Sequence, residues 1–377
     1  MNRQECIQRI QKSARIVIKI GTSLLTDPLE KDGINKEMIA VLRDEILYLR
    51  KKNIQTVLVT SGSQGMGRHA VRTAKKNSLL QDTSISRKQA LAAIGQGKLM
   101  SVYSDIFEKS DLLVAQILIT ARDFRDRRTY INIGHTMEEI LKMGGLPIVN
   151  ENDTVLTDEL QFGDNDVLSS ACAALLEADA LLILTSVDGF QIDQKKVSFL
   201  DSVGSEEMKH AGGSSGPGTG GMVTKLRAAQ LCSQSGAISA ILPGRHPSPI
   251  QSLLEGEEIG TLICSPPENK LTARKKWLLY ARNRGSVVVD QGARIALVER
   301  GSSLLPAGIL KTEGEFFSGD VIEIKEASGI SIGRGIVNYS DRELESMLGM
   351  KVEELRSQGQ NLHADEVIHR NNMILES

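Results

Sequence analysis

The stretch RIVIKIGTS, residues 15–23, decides the fold class because it joins an apolar run to a lysine and a glycine. A nearly continuous apolar run is typical of a strand that is buried on both faces of a parallel sheet. Similar runs recur between segments of helical periodicity, which predicts a mainly parallel sheet between two layers of helices, an α/β fold with three α-β-α layers. The predicted strands are residues 15–20, 56–60, 112–119, 146–150, 180–185 and 237–242. The predicted helices are residues 35–51, 86–109, 127–143, 167–176 and 223–235.

The pattern changes toward the carboxyl end of the chain. We predict a first domain over residues 1–264, and a Pro-containing, basic connector over residues 265–284 with a helical turn around Trp277. Residues 285–377 then form short runs punctuated by glycine, which predicts a small β-rich domain with a helical tail over residues 341–355. Its strand-like runs are residues 286–290, 295–299, 321–325 and 330–337.

Composition narrows the function classes. The 377 residues carry a formal net charge of −2, so no global field draws the chain to nucleic acid or to a membrane surface. The chain lacks an apolar run of about 20 residues, as a membrane helix needs, and its first 15 residues are polar. Cys6, Cys172, Cys232 and Cys264 show no close spacing, which indicates free thiols in a reducing compartment. These observations predict a cytoplasmic protein.

Two glycine-containing loops follow predicted strands. Lys19 lies near the end of the first strand, two residues before Gly21. A lysine inside an apolar strand is costly unless it is paired or faces a ligand. Ser61 and Gly62 lie in TSGSQGMG, residues 60–67, where a strand gives way to a helix whose N-terminus suits a carboxylate or a phosphate. The plain alternatives are an edge lysine and an ordinary helix cap.

Two further loops concentrate amides and carboxylates. NEND holds Asn150 and Asp153, and FGDND holds Asn165 and Asp166. A solvated polar loop is the default interpretation of such segments. The mixture nevertheless suits a zwitterionic ligand, because carboxylates accept hydrogen bonds from an ammonium group while amides orient the carboxylates.

The loop GPGTGGMVTK, residues 216–225, runs into a helix with Lys225 in its first turn. Backbone N–H groups and one mobile ammonium group form a phosphate cradle, although the sequence is not a Walker A motif and a flexible linker is the alternative. Two lysines in separate phosphate-type loops suit phosphoryl transfer, which needs positioning and charge neutralisation. A carboxylate acceptor is already ionised near neutral pH, so the lack of histidine in these loops favours it over an alcohol.

Taken together, VIKIGTS, VTSG, PIVNEND, FGDND and GTGGM-x-TK resemble, in this order, the glutamate 5-kinase family of the amino acid kinase superfamily, and ERGSSLLPAG at residues 299–308 resembles its C-terminal domain. The resemblance covers nearly the whole chain. It implies an amino acid kinase domain followed by a PUA domain, ATP and Mg²⁺ as phosphoryl source, and L-glutamyl 5-phosphate, an intermediate of proline biosynthesis, as product. It also implies a homo-oligomer, a dimer or a tetramer, with proline as feedback inhibitor.

The resemblance also assigns roles by motif position. It implies that Lys19 and Lys225 stabilise the transferring phosphoryl group and that Asp166 holds both lysines. The residues that would bind glutamate are Ser61, Gly62, Asn150, Asp153 and Asn165. The residues that would face the nucleotide are Lys19, Gly21, Thr185, Ser186, Gly218, Thr219, Gly220, Gly221, Met222, Val223, Thr224 and Lys225. The metal ligands are not identified by any motif.

The chain departs from the family pattern at three points, one of which is a tail after Gly349 without an obvious family counterpart. Ser63, Gln64 and Met66 replace the usual small apolar residues after VTSG, which bears on the glutamate pocket and on proline sensitivity. Thr185 is followed by Ser186, where many relatives have an aspartate.

Three alternatives remain at this point. A kinase acting on N-acetylglutamate would share the fold, but Asp153 and the C-terminal domain favour free glutamate. An RNA-binding function of the C-terminal domain lacks a basic stripe or a set of stacking aromatic residues. A purely regulatory kinase is disfavoured by the presence of both lysines and Asp166.

Overall fold

The computed structural model describes residues 1–27, 30, 33–155, 165–212, 221–264, 271, 273–359 and 362–375. The chain forms two compact units, Met1–Leu271 and Thr272–Ser377. The boundary between these units falls inside the segment 265–284 that the sequence marks as a connector.

The first unit is built on an eight-stranded sheet. Its strands are β1 (Arg15–Ile20), β2 (Gln55–Val59), β3 (Val114–Ile119), β4 (Leu146–Glu151), β5 (Ala180–Thr185), β8 (Phe199–Leu200), β9 (Ile238–Pro243) and β10 (Thr261–Ile263). Their order is β3-β4-β2-β1-β5-β9-β10-β8, and every pair is parallel except β9 with β10. The short strands β6 (Gln191–Ile192) and β7 (Lys195–Lys196) form a separate hairpin. The predicted mainly parallel sheet is therefore confirmed.

Helices cover both faces of this sheet. They are α1 (Arg3–Gln11), α2 (Thr22–Leu25), α3 (Lys36–Lys51), α4 (Ser63–Thr73), α5 (Ile85–Phe107), α6 (Ala121–Arg125), α7 (Arg127–Lys142), α8 (Asn165–Leu175), α9 (Ser205–Ala211), α10 (Met222–Ser235) and α11 (Pro249–Leu254). Alternate residues of β1, Ile16, Ile18 and Ile20, pack in one core with α1, α3 and α5. Because side chains alternate along a strand, Lys19 lies on the opposite face, where α8 and α10 pack.

A disulfide joins Cys6 of α1 to Cys264 after β10, with a Cα–Cα distance of 6.4 Å. The prediction of four free thiols is therefore wrong for this pair. The two cysteines are separated by 258 positions in the sequence, so their pairing depends on α1 packing near the end of β10. Cys172 and Cys232 are free and buried, as expected.

The second unit is a five-stranded sheet with small helices. Its strands are β11 (Asn283–Val289), β12 (Ile309–Glu313), β13 (Val321–Glu326), β14 (Ser331–Ile336) and β15 (Met373–Leu375), in the order β12-β11-β13-β14-β15. Its helices are α12 (Ala273–Leu278), α13 (Gln291–Val298), α14 (Asp341–Glu345) and α15 (Val352–Ser357). The predicted β-rich C-terminal domain and the helical turn around Trp277 are confirmed.

Two local predictions in this unit are wrong. Residues 295–299 are not a strand, because the Asp290 side chain accepts a hydrogen bond from Ala293 N and caps α13, which extends to Val298. The predicted continuous helix over residues 341–355 is interrupted, because Gly349 adopts a left-handed φ of 71° between α14 and α15.

Short 3-10 turns complete the described elements, at Asn77–Leu80, Glu108–Ser110, Asp153–Val155, Pro306–Gly308 and Arg370–Asn372. Across the described part of the chain, none of the helices combines the length and the apolar character required to cross a bilayer.

Candidate active site

The polar residues predicted to act together follow four neighbouring strands, β4, β2, β1 and β5. Because these strands are parallel, their carboxyl ends meet at one edge of the sheet, where ligands bind in folds of this type. Asn150 lies in β4, Lys19 lies in β1 and Thr185 ends β5, while Ser61 and Gly62 follow β2. The sheet order thus brings four separate sequence motifs to one place.

A buried carboxylate between two ammonium groups forms the centre of the site. Lys19 Nζ lies 2.5 Å from Asp166 Oδ1, and Lys225 Nζ donates to Asp166 Oδ2 at 3.1 Å. Thr224 Oγ1 also donates to Oδ2, at 2.8 Å. The exposed fractions of the three charged side chains are 4% for Lys19, 0% for Asp166 and 8% for Lys225. The structure therefore brings together the three motifs that carry these residues.

The electrostatic balance at Asp166 favours its ionised form. Burial alone would raise the pKa of this carboxyl group, but the charges of Lys19 and Lys225 outweigh burial and lower the pKa to about 2. The carboxylate is consequently charged at physiological pH. Its single negative charge offsets one of the two positive charges of the lysines, and its ion pairs hold both ammonium groups in place.

The first residues of α8 link this centre to an amide network. Asn165, immediately before Asp166, donates through Nδ2 to Thr60 O at 2.8 Å, to Ser61 Oγ at 2.8 Å and to Asn150 Oδ1 at 3.1 Å. Three of the predicted glutamate-binding residues, Ser61, Asn150 and Asn165, are therefore in direct contact. One helix start thus positions both an amide and the carboxylate.

Gln96 of α5 belongs to this network, although the sequence motifs do not include it. Asn150 Nδ2 donates to Gln96 Oε1 at 2.8 Å, and Asn150 Oδ1 accepts from Glu151 N at 2.9 Å. These bonds select one orientation of the Asn150 amide. Gln96 is a nearly buried polar residue inside an otherwise apolar helical stripe, and that pattern is the signal by which it could have been found.

Two polar atoms of the network are not satisfied within the described part of the chain. Gln96 Nε2, a donor, and Asn165 Oδ1, an acceptor, are buried and have no hydrogen-bond partner there. Because buried polar atoms are normally hydrogen-bonded, an open donor and an open acceptor beside Asn150 indicate a place for a polar ligand.

Asp153 lies beside this network in the 3-10 turn Asp153–Val155. Its Oδ2 accepts a hydrogen bond from Ser63 Oγ at 2.9 Å. Burial raises the pKa of Asp153, while hydrogen bonds from Ser63 and Gln64 act in the opposite direction. Gly62, the N-cap residue of α4, has a φ of 106°, a conformation that favours glycine.

The predicted nucleotide side is described in part. A Cβ added at Gly21 would lie 3.6 Å from Lys19 Nζ, so the backbone passes close to that ammonium group. Thr185 is buried and Ser186 is exposed at the end of β5. The predicted cradle residues Gly221, Met222, Val223, Thr224 and Lys225 cap and begin α10. Gly218, Thr219 and Gly220 lie outside the described residues.

The arrangement combines two functions at one sheet edge. The lysines and the start of α10 can neutralise phosphate oxygens, because a helix N-terminus and ammonium groups both favour anions. The amides and Asp153 can bind a small zwitterion by hydrogen bonds and by an ion pair. A parallel α/β sheet with such a site defines the class of α/β phosphotransferases.

Comparison with known proteins gives the same class and a narrower family. Residues 14–242 match the amino acid kinase family, and residues 285–358 match the PUA domain. A curated relative named "Glutamate 5-kinase" from Caldanaerobacter subterraneus subsp. tengcongensis is 40% identical over 370 residues, which cover 96% of this chain and 97% of that protein. Relatives with the same name from Trichlorobacter lovleyi and Trichormus variabilis are each 40% identical, over 375 and 371 residues, covering 97% and 96% of this chain and 98% and 99% of theirs.

A solved structure shares the fold of the first unit. The carbamate kinase from Giardia lamblia bound to AMP-PNP aligns with a TM-score of 0.50 at 18% identity, covering 68% of this chain and 100% of its own. The chain belongs to the amino acid kinase family, in the group of proteins named glutamate 5-kinase.

Proposed function

We propose that this protein catalyses the ATP-dependent phosphorylation of the side-chain carboxylate of L-glutamate. The product is L-glutamyl 5-phosphate, and the reaction is the first step of proline biosynthesis. The observation that most supports this proposal is the Asp166 carboxylate held between Lys19 and Lys225, next to the amide network of Asn150 and Asn165. The family membership and the name of the relatives point in the same direction.

The chemistry needs few groups from the protein. A carboxylate oxygen of glutamate attacks the γ-phosphorus of ATP, the new P–O bond forms, and ADP leaves with the electrons of the broken bond. The glutamate side chain is ionised near neutral pH, so no general base is required. Lys19 and Lys225 stabilise the negative charge on the transferring group, and Asp166 keeps both ammonium groups in position.

Substrate binding is assigned to the two polar clusters. Asp153 pairs with the ammonium group of glutamate, and the open acceptor Asn165 Oδ1 accepts a hydrogen bond from the same group. Ser61, Asn150 and the backbone at Gly62 hydrogen-bond the carboxylates of glutamate. Gln96 joins this set through its open Nε2 donor and its bond to Asn150. The nucleotide lies against Gly21, Thr185, Ser186 and the 218–225 segment.

Magnesium enters this proposal with the nucleotide. Among the described residues no group of three or more His, Cys, Asp or Glu side chains could hold a metal ion, and Asp166 already contacts two lysines. Phosphate oxygens and water suit Mg²⁺ as ligands, since this ion keeps several waters in sites of this kind. We therefore treat MgATP as the substrate form.

The organisation of the chain forms part of the same proposal. Residues 1–264 carry both substrate sites, residues 265–284 connect the two domains, and residues 285–377 form the PUA-like domain and the tail.

We place the enzyme in the cytoplasm, where its substrates are supplied. It acts as a homo-oligomer, which the exposed apolar side chains of Leu113 and Leu118 at edge strand β3 support. Proline inhibits the enzyme by feedback. Rates measured at low glutamate concentration, with and without proline, test this part of the proposal.

The decisive experiment traps the product. The full-length protein is incubated with MgATP, hydroxylamine and one of three acids: glutamate, N-acetylglutamate or aspartate. Hydroxamate formed with glutamate alone is the expected result, because N-acetylglutamate lacks the ammonium group that Asp153 would pair with and the side chain of aspartate is one methylene shorter. Hydroxamate formed only with another acid would overturn the substrate, and no hydroxamate from folded protein that binds ATP would overturn the reaction.

A further inference from the structure

Ser63, the first residue of α4, is a buried polar side chain with one clear partner. It is 3% exposed, and its Oγ donates to Asp153 Oδ2 at 2.9 Å. A buried hydroxyl group without a partner costs free energy, so this bond keeps the side chain directed at the carboxylate.

The backbone that carries Ser63 has little freedom. A Cβ added at Gly95 of α5 would lie 1.8 Å from Ser63 O, and a Cβ added at Gly67 of α4 would lie 1.9 Å from Leu91 O. These values mean that α4 and α5 pack backbone against backbone at two glycines. The Ser63 hydroxyl group is therefore presented from a rigid pair of helices.

The Asp153 carboxylate is held differently. It lies in a single 3-10 turn, Asp153–Val155, and its Oδ2 accepts the hydrogen bond from Ser63 Oγ. Burial raises the pKa of this carboxyl group, and the hydrogen bond from Ser63 acts in the opposite direction. Ser63 thus supplies rigidity and electrostatic support that the turn itself does not provide.

We propose that Ser63 is a positioning residue for substrate recognition, which holds the Asp153 carboxylate in one rotamer and in its charged form to pair with the substrate ammonium group. The inference rests on the proposed function, because it takes Asp153 as the partner of the amino group of glutamate. It makes Ser63 a determinant of the affinity of the protein for the amino acid.

The test compares the full-length protein with Ser63→Ala in steady-state kinetics. We expect the KM for glutamate to rise about 10-fold, as for loss of a hydrogen bond to a charged group, with kcat and the KM for ATP within about twofold. The acid limb of the pH profile of kcat/KM for glutamate should move to higher pH, because the bond that favours the ionised Asp153 is lost. Thr73→Ala, at the other end of α4, is the matched control. It should change neither the KM for glutamate nor the acid limb of the pH profile.

Two more variants complete the design. Ser63→Thr keeps the hydroxyl group and should restore both the KM and the pH profile. Gln64→Ala should shift the acid limb in the same direction as Ser63→Ala by a smaller amount, and it decides the question if Ser63→Ala does not fold.

The outcomes separate the two proposals. An unchanged glutamate KM and acid limb in an active Ser63→Ala protein, or an equal loss in kcat and in both KM values, would overturn the role of Ser63 and leave the proposed reaction intact. Failure of the wild-type protein to form hydroxamate from glutamate would instead overturn the proposed function.

Discussion

Replacing Asp166 with asparagine tests the centre of the site most directly. The substitution keeps the shape of the side chain and removes its charge from between Lys19 Nζ, at 2.5 Å, and Lys225 Nζ, at 3.1 Å. Both lysines are less than one-tenth exposed, so water cannot replace the lost counter-ion. Removing one partner of a buried ion pair lowers the free energy of unfolding by about 3–5 kcal/mol. The loss cannot grow much larger, because one lysine can release a proton and become neutral.

The expected change in melting temperature follows from the size of the first unit. A unit of 271 residues unfolds with an entropy of roughly 0.6 kcal/mol per kelvin, so the cost corresponds to a decrease of about 5–8 °C. Turnover should fall at least about 100-fold, because the lysines lose their fixed positions at the transferring group. Circular dichroism on heating and the hydroxamate assay measure the two effects.

The pH dependence of the difference in stability between the wild type and Asp166→Asn gives a second check. The pKa of Asp166 is lowered to about 2 in the folded protein, so its stabilising contribution is present above the ordinary pKa of an aspartate and is lost as pH falls toward 2. The gap between wild type and variant should therefore be constant above pH 5 and narrow in acid.

Asp179→Asn is the matched control for this substitution. Asp179 accepts hydrogen bonds from two backbone N–H groups, of Ala14 and Arg15, and an asparagine oxygen can still accept them. We expect a decrease of at most about 2 °C and normal turnover in this variant. An Asp166→Asn protein that melts within 2 °C of the wild type, or that keeps a tenth of its turnover, would refute the reasoning.

Three further perturbations test the fold around the site. Gly95→Ala would place a Cβ 1.8 Å from a backbone oxygen of α4, so we expect it to lower the free energy of unfolding by about 3 kcal/mol or more. Gly97→Ala on the same helix meets nothing within 4 Å and should raise the free energy of unfolding by up to about 1 kcal/mol, because alanine favours a helix over glycine. Equal melting temperatures for the two variants would contradict the close packing. Glu45 accepts hydrogen bonds from two backbone N–H groups of α11. Burial raises the pKa of its carboxyl group to about 7. The stabilising contribution of Glu45 is therefore complete below the ordinary pKa of a glutamate and is lost as pH rises through 7. Glu45→Gln should therefore melt on the order of 3 °C above the wild type at pH 8 and equally at pH 5, and a pH-independent difference would count against this account. The Cys6–Cys264 disulfide closes a loop of 258 positions, so its reduction should lower the free energy of unfolding by up to about 5 kcal/mol. In a Cys6→Ser variant, reductant should have no such effect. Four titratable thiols in unreduced, denatured protein would show that the bond is not formed.

Local patterns in the sequence were sufficient for most of the secondary structure of the first unit. Apolar runs such as residues 180–185 can be stable only with both faces covered, and β5 is buried at all six positions. The same patterns marked Lys19, inside an apolar strand, and Lys225, after a glycine-rich loop, as candidates for phosphate binding. They marked Asp166 only as part of a polar loop. The resemblance to a family then added roles that no local pattern contains.

Local patterns were insufficient where two structures share one periodicity. The apolar run at residues 295–299 suits a strand as well as a helix, and the Asp290 cap five residues earlier decides for the helix. The tail after Asp341 has helical composition throughout, but Gly349 ends one helix and allows the next to start in a new direction.

By itself the sequence determined the parallel α/β class, the β-rich second unit and the residue types available for chemistry, because these depend on periodicity and on chemical character that can be read locally. Only the tertiary structure decided which side chains meet. Gln96 reaches Asn150 across 54 positions, and Cys6 reaches Cys264 across 258. Such contacts are set by the order of strands in the sheet and by the close packing of helices, and a one-dimensional pattern does not encode the distances that result.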